Sequence, residues 1–112
     1  MSNPQKRKGD AYERSIRDYL NSQGFMVDRT RAGWSDDRGD LHGVSGFVWE
    51  CKNHKALQLS GWISELLVEC TNAGAPLGAV VHKKRGVTDA ADQYATLPLW
   101  MLVQLLKEAG YK

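Results

Sequence analysis

Cysteine is scarce: the 112 residues contain only Cys51 and Cys70. Both stand in apolar segments that read as buried, one on a strand and one on a helix. A disulfide framework is therefore excluded, and both are expected as reduced packing residues. No apolar run approaches the ~18 residues of a membrane span, and the first residues lack the apolar centre of a secretory signal. A soluble, intracellular, cytoplasmic protein with no membrane partner is expected. Histidine is confined to His42, His54 and His82, and with the two cysteines these match no compact zinc-ligand spacing. There is no phosphate-cradling Walker loop and no dinucleotide fingerprint. No serine or cysteine nucleophile has an evident partner base. Neither sign of charge dominates, since the net charge is +2.

What is present fits one domain with a single modest core. Ten of the fifteen Lys and Arg residues fall in positions 1–55. Residues 1–8 are polar and basic and read as a flexible arm, leaving 9–112 as the folded domain. From Gly9 to Gln23, Tyr12, Ile16, Tyr19 and Leu20 recur with helical spacing, and Gly24 stands where a cap belongs. Glu13 falls on or beside that apolar stripe. A carboxylate there is costly unless compensated, so it is either a boundary residue reaching water or part of a site. Phe25–Val27 reads as a short strand. The loop 32–38 follows, with Arg29, Arg31 and Arg38 around it and Trp34 at its tip. That loop suits a nucleic-acid backbone, although Trp34 is equally compatible with a place in the core.

Farther along, Leu59, Trp62, Ile63, Leu66, Leu67 and Cys70 form the strongest amphipathic helix pattern, with Ser60 as a candidate cap and Gly74 as the stop. A buried strand is expected at 78–82, followed by the basic turn Lys83–Gly86. Thr88 is a candidate cap for a short helical turn, residues 94–97 read as a strand, and Pro98 opens a last helix ending near Gly110. The sum is an α/β domain with a mixed central β-sheet flanked by α-helices.

The informative stretch is Arg38 to Lys52. The glycine-rich turn 43–46 separates two short segments, and the aromatic and β-branched run Phe47–Trp49 favours a strand. Along that strand Glu50 and Lys52 share one face and Cys51 takes the other. Hairpin pairing brings Asp40 close to Glu50. Two carboxylates that close repel each other unless a cation intervenes, and hard divalent ions prefer carboxylate oxygen. A solvated hairpin face with an incidental ion pair is the plain alternative. Taken with Glu13, the set Glu13, Asp40, Glu50 and Lys52 matches metal-dependent phosphodiester cleavage. There a carboxylate-held Mg²⁺ activates water, and a lysine offsets developing charge.

These residues resemble the PD-(D/E)XK, or restriction-endonuclease-like, nuclease superfamily, and within it the archaeal-type Holliday junction resolvases and their phage relatives. The likeness is carried by Arg7-Lys8-Gly9-Asp10-Ala11-Tyr12-Glu13, by Gly24-Phe25 with Arg29, by Gly39-Asp40 and by Glu50-Cys51-Lys52. It covers about residues 6–55 in motif. Residue 39 departs from it, being glycine where the signature has proline.

The resemblance implies a restriction-endonuclease-like domain using Mg²⁺, with Mn²⁺ as an alternative. Asp40, Glu50 and the Cys51 carbonyl would be metal ligands, Glu13 would complete the site directly or through water, and Lys52 would act on the attacking water. Arg7, Lys8, Arg29, Arg31, Ser35 and Arg38 are the candidate DNA contacts. A homodimer nicking opposing strands of a four-way DNA junction, in recombination or repair, is the implied activity. A phage-encoded member would act in the host cytoplasm. Another nuclease of the same superfamily and a non-catalytic DNA-binding module are the alternatives.

Overall fold

A computed structural model describes residues 3–30 and 39–112. Chain order is α1 (Pro4–Ser22), β1 (Asp28–Arg29), β2 (Leu41–His42), β3 (Phe47–Lys52), α2 (Leu59–Ala73), β4 (Leu77–His82), a 3-10 turn (Ala90–Asp92), β5 (Tyr94–Thr96) and α3 (Leu99–Glu108). The strands form one sheet in the order β1-β2-β3-β4-β5. β3 and β4 run parallel and every other neighbouring pair is antiparallel. The mixed sheet flanked by helices, in a single domain, is the architecture expected from the sequence. The parallel step requires a crossover, which α2 supplies.

Two apolar layers sandwich the sheet. On one face Val48 and Val80 pack with Trp62, Leu66 and Cys70 of α2 and Met101 of α3. On the other, Leu41 and Val81 pack with Tyr12, Ile16 and Leu20 of α1. Burying a side chain such as Leu66, which is fully enclosed, contributes roughly 1.5–3 kcal/mol. Trp62 belongs to this core, whereas Leu99 and Trp100 are 74% and 57% exposed. Both cysteines are free, as expected.

Four local expectations are corrected. Ser60 does not cap α2, which begins at Leu59 with Gln58 before it. The basic segment 1–8 is not an arm through its length, because α1 already begins at Pro4. Asn3 Oδ1 accepts from the Lys6 N–H at 2.7 Å, and proline at the first helical position loses no hydrogen bond there. Phe25–Val27 is not a strand; β1 is Asp28–Arg29. The Asn21 side chain accepts from the Val27 N–H at 2.7 Å and donates to its carbonyl at 3.0 Å, diverting both groups from any ladder. Asp89 rather than Thr88 caps the short turn, accepting from the Ala91 N–H at 3.0 Å. Helix α2 stops where expected, at Gly74 with φ +64°. No helix among the described residues is long and apolar enough to cross a membrane.

Candidate active site

The site is assembled at one end of the β2–β3 hairpin, between α1 and α2. The register Leu41↔Trp49, continued by one residue, sets Asp40 beside Glu50. Asp40 is fixed by its backbone on both sides: its N–H donates to Trp49 O at 2.8 Å and its carbonyl accepts from the Thr30 N–H at 2.9 Å. Its side chain is fixed as well, Oδ2 accepting from the Cys51 N–H at 2.7 Å. The approach to Asp40 needs glycine. Gly39 has φ +91°, and a Cβ there would stand 2.6 Å from Val48 Cγ1 and 2.9 Å from Trp49 O. Proline, locked near φ −65°, cannot occupy this position.

Glu50 and Lys52 share the β3 face that looks toward α2, and Cys51 packs into the opposite layer with α1. Glu50 is 5% exposed and meets Glu69 of α2, itself 1% exposed. One turn earlier on α2, Glu65 Oε2 accepts from Lys52 Nζ at 2.8 Å. From the other side of the sheet α1 supplies Glu13. Arg29 Nε donates to Glu13 Oε2 at 2.9 Å, and its Nη2 donates to Asp10 Oδ1 at 2.7 Å. Arg29, a candidate DNA contact, is thus also the ion-pair partner of Glu13 and Asp10. Arg7 and Lys8 are exposed on the first turns of α1. The candidate contacts Arg31, Ser35 and Arg38, and Trp34 with them, lie outside the described residues.

Crowding these carboxylates in a partly dry site shifts their protonation. Burial, reinforced by the hydrogen-bonded Glu50 carboxyl, pushes Asp40 up to about 8. Burial also pushes Glu50 up to about 8, with Glu69 adding to the rise and Asp40 and Lys52 opposing it. Glu13 is raised by burial and by the Asp40 charge, and Arg29 restrains that rise. Lys52 is raised as well: burial works against its charge, but Glu65 and Glu50 outweigh it and favour the ammonium. The Cys51 thiol is pushed well above its ordinary value by burial, so it is no nucleophile at neutral pH.

Among the described residues, Glu50, Glu65 and Glu69 each bring one oxygen within 4.8 Å of the others and could hold a metal ion. The donor set fits a hard divalent cation: all oxygen, with Glu50 and Glu69 buried and Glu65 at the solvent edge. Glu50 is common to this group and to the pair it forms with Asp40. The sequence pattern missed Glu65 and Glu69. The signal was present, because Glu69 lies seven residues after Trp62 and three after Leu66, on the apolar stripe of α2, just as Glu13 lies on that of α1. Compared with known proteins, the chain matches no family model and no curated protein.

Proposed function

We propose that the protein is a Mg²⁺-dependent, structure-specific DNA endonuclease of the restriction-endonuclease-like kind, cutting four-way junctions by paired phosphodiester hydrolysis. The observation that carries this reading is the meeting of Asp40 and Glu50 on one strand pair with Lys52 two residues on. Carboxylates gathered this way would repel a phosphate by themselves, so a pure DNA-binding surface has no use for them.

Asp40 and Glu50 would hold the cation with the Cys51 carbonyl, and Glu65 and Glu69 extend the oxygen set from α2. When bound, Mg²⁺ (or Mn²⁺) supplies Lewis acidity to phosphate oxygens and lowers the pKa of water. Lys52 presents an ammonium at the same place, where it offsets the negative charge that grows on the attacked phosphate. Arg29 holds Glu13 in place and restrains the rise that burial and Asp40 impose on its carboxyl. Arg7 and Lys8 would meet backbone phosphates from α1, contributing affinity without sequence preference. The exposed apolar face of α3, with Leu99, Trp100, Val103 and Leu106, is suited to a second copy. Two sites in a dimer would account for paired nicks.

The test is cleavage of a labelled four-way junction, set beside linear duplex, flap and single strand, with and without Mg²⁺. Symmetric paired nicks on the junction, lost in Glu50→Gln and Lys52→Ala, are expected. Cutting of flaps or ends instead would keep the metal chemistry and move the substrate to repair intermediates. No metal-dependent cutting of any substrate would sink the catalytic reading.

A further inference from the structure

Past the carboxyl ends of the parallel strands β3 and β4 lies a cleft of about 410 Å³, lined by His54, Lys55, Lys83, Lys84, Arg85 and Tyr94 among others. It opens beside the end of the strand that carries Glu50 and Lys52. The Lys83 N–H donates to Lys52 O at 3.0 Å, joining the first residue of the basic turn to the last residue of β3. No acidic side chain lines the cleft. Lys6, Arg17, Arg29 and Lys52 each have a carboxylate partner; among the described residues Lys55, Lys83, Lys84 and Arg85 have none, and unlike the other unpaired cations these four line one cleft. Four cations gathered without a counter-charge repel one another and focus a positive potential into the cleft.

The turn that carries Lys83, Lys84 and Arg85 is firmly built. Gln93 Oε1 accepts from the Lys84 N–H at 2.9 Å, while its Nε2 donates to Val87 O at 3.0 Å and to Asp89 O at 2.9 Å. Lys83 Nζ also donates to Val87 O, and Arg85 Nη1 donates to Asn53 Oδ1 at 3.2 Å. Little ordering remains to be done when a ligand arrives. Tyr94 is 51% exposed with Lys84 Nζ 5.8 Å from its ring centroid. Ammonium and guanidinium groups beside an open aromatic ring are the combination that holds single-stranded nucleic acid, phosphates on the cations and a base against the ring.

We propose that this cleft is a second nucleic-acid site, binding the backbone of an unpaired strand that leaves the carboxylate site and stacking one of its bases on Tyr94. The choice of nucleic acid as the polyanion rests on the nuclease reading; the cleft and its charge do not. None of the residues lining the cleft belongs to α1, the helix that carries Arg7 and Lys8.

The experiment is fluorescence anisotropy on the full chain, without divalent metal, using one labelled oligonucleotide either single-stranded or annealed. Lys84→Ala/Arg85→Ala should weaken single-strand binding about tenfold and reduce the salt slope by roughly 1.4, at ~0.7 for each lost phosphate contact. Tyr94→Leu should weaken single-strand binding about tenfold and leave duplex binding unchanged. Circular dichroism melts confirm that each variant folds. Wild-type binding that is absent, or unchanged in the double variant, would overturn the site, as would an equal loss for both oligonucleotides in Tyr94→Leu. If the protein cuts no DNA in any metal but the variants lose binding as described, the nuclease reading falls and the cleft stands. If it cuts junctions and the double variant binds like wild type, the reverse holds.

Discussion

Lys52 Nζ on β3 donates to Glu65 Oε2 on α2 at 2.8 Å, so the ammonium proposed to act on the phosphate rests on a carboxylate of the metal-competent group. The two partners should therefore fail differently. Lys52→Ala is expected to lower kcat for cleavage by about 10²–10³ with little change in the Mg²⁺ concentration required. Glu65→Gln is expected to raise that requirement by about 10-fold or more and to recover most of its kcat at saturating metal. A metal titration of both variants checks the split, and an unchanged requirement in Glu65→Gln would leave Glu65 as an ion-pair partner alone.

Stability should depend on pH in a direction opposite to that of a salt-bridged acid. Asp40 and Glu50 titrate at about 8 in the folded chain, against roughly 4 when unfolded. Between those values the folded state binds more protons than the unfolded state, so its stability falls as pH rises through the window. Below the window both states are protonated and the penalty is absent. The Tm of the metal-free protein is expected to fall from about pH 5 to pH 8. Mg²⁺ should raise Tm more at the upper end, because binding must expel protons. Asp40→Asn should flatten the metal-free profile, and a calorimetric series across pH decides the matter.

Gly39 is expected to be intolerant of any side chain. Gly39→Ala adds a Cβ 2.6 Å from Val48 Cγ1 at φ +91°, which should cost roughly 1–3 kcal/mol in strain alone, or ~4–8 °C in Tm for each kcal/mol. Because Asp40 follows directly, cleavage should fall further than stability. Gly24→Ala is the control: its φ is +99°, but no atom lies within 4 Å of the added Cβ, so it should cost less in Tm and leave cleavage intact.

The apolar face of α3 supplies a test of association. Trp100→Glu places a charge on that face without touching the core, since Trp100 is already exposed. Sedimentation velocity should show dimer for the wild type and monomer for the variant, with single nicks replacing paired ones. A monomeric wild type would remove the paired-nick mechanism.

The sequence alone determined the order of elements, the stopping points of α1 and α2 and the buried stripe of α1, because local propensity and periodicity act over a few residues; on α3 the expected face of Leu99, Leu102, Val103 and Leu106 is exposed and Met101 is buried instead. It also marked Asp40, Glu50 and Lys52, since strand alternation and hairpin register are short-range properties of 38–52. Glu13 was visible for the same reason, as a charge on an apolar stripe. Tertiary structure decided the rest. Glu69 stood on the α2 stripe as plainly as Glu13 on that of α1, but only the parallel crossover lays α2 against the Glu50 face of β3. Arg29 became an ion-pair partner because α1 presents Asp10 and Glu13 to it across the sheet edge. The positive φ of Gly39, and the joining of residues 53–55 to 83–85 in one basic cleft, depend on how distant segments meet. No local pattern encodes that, because the energy that fixes it comes from packing between elements.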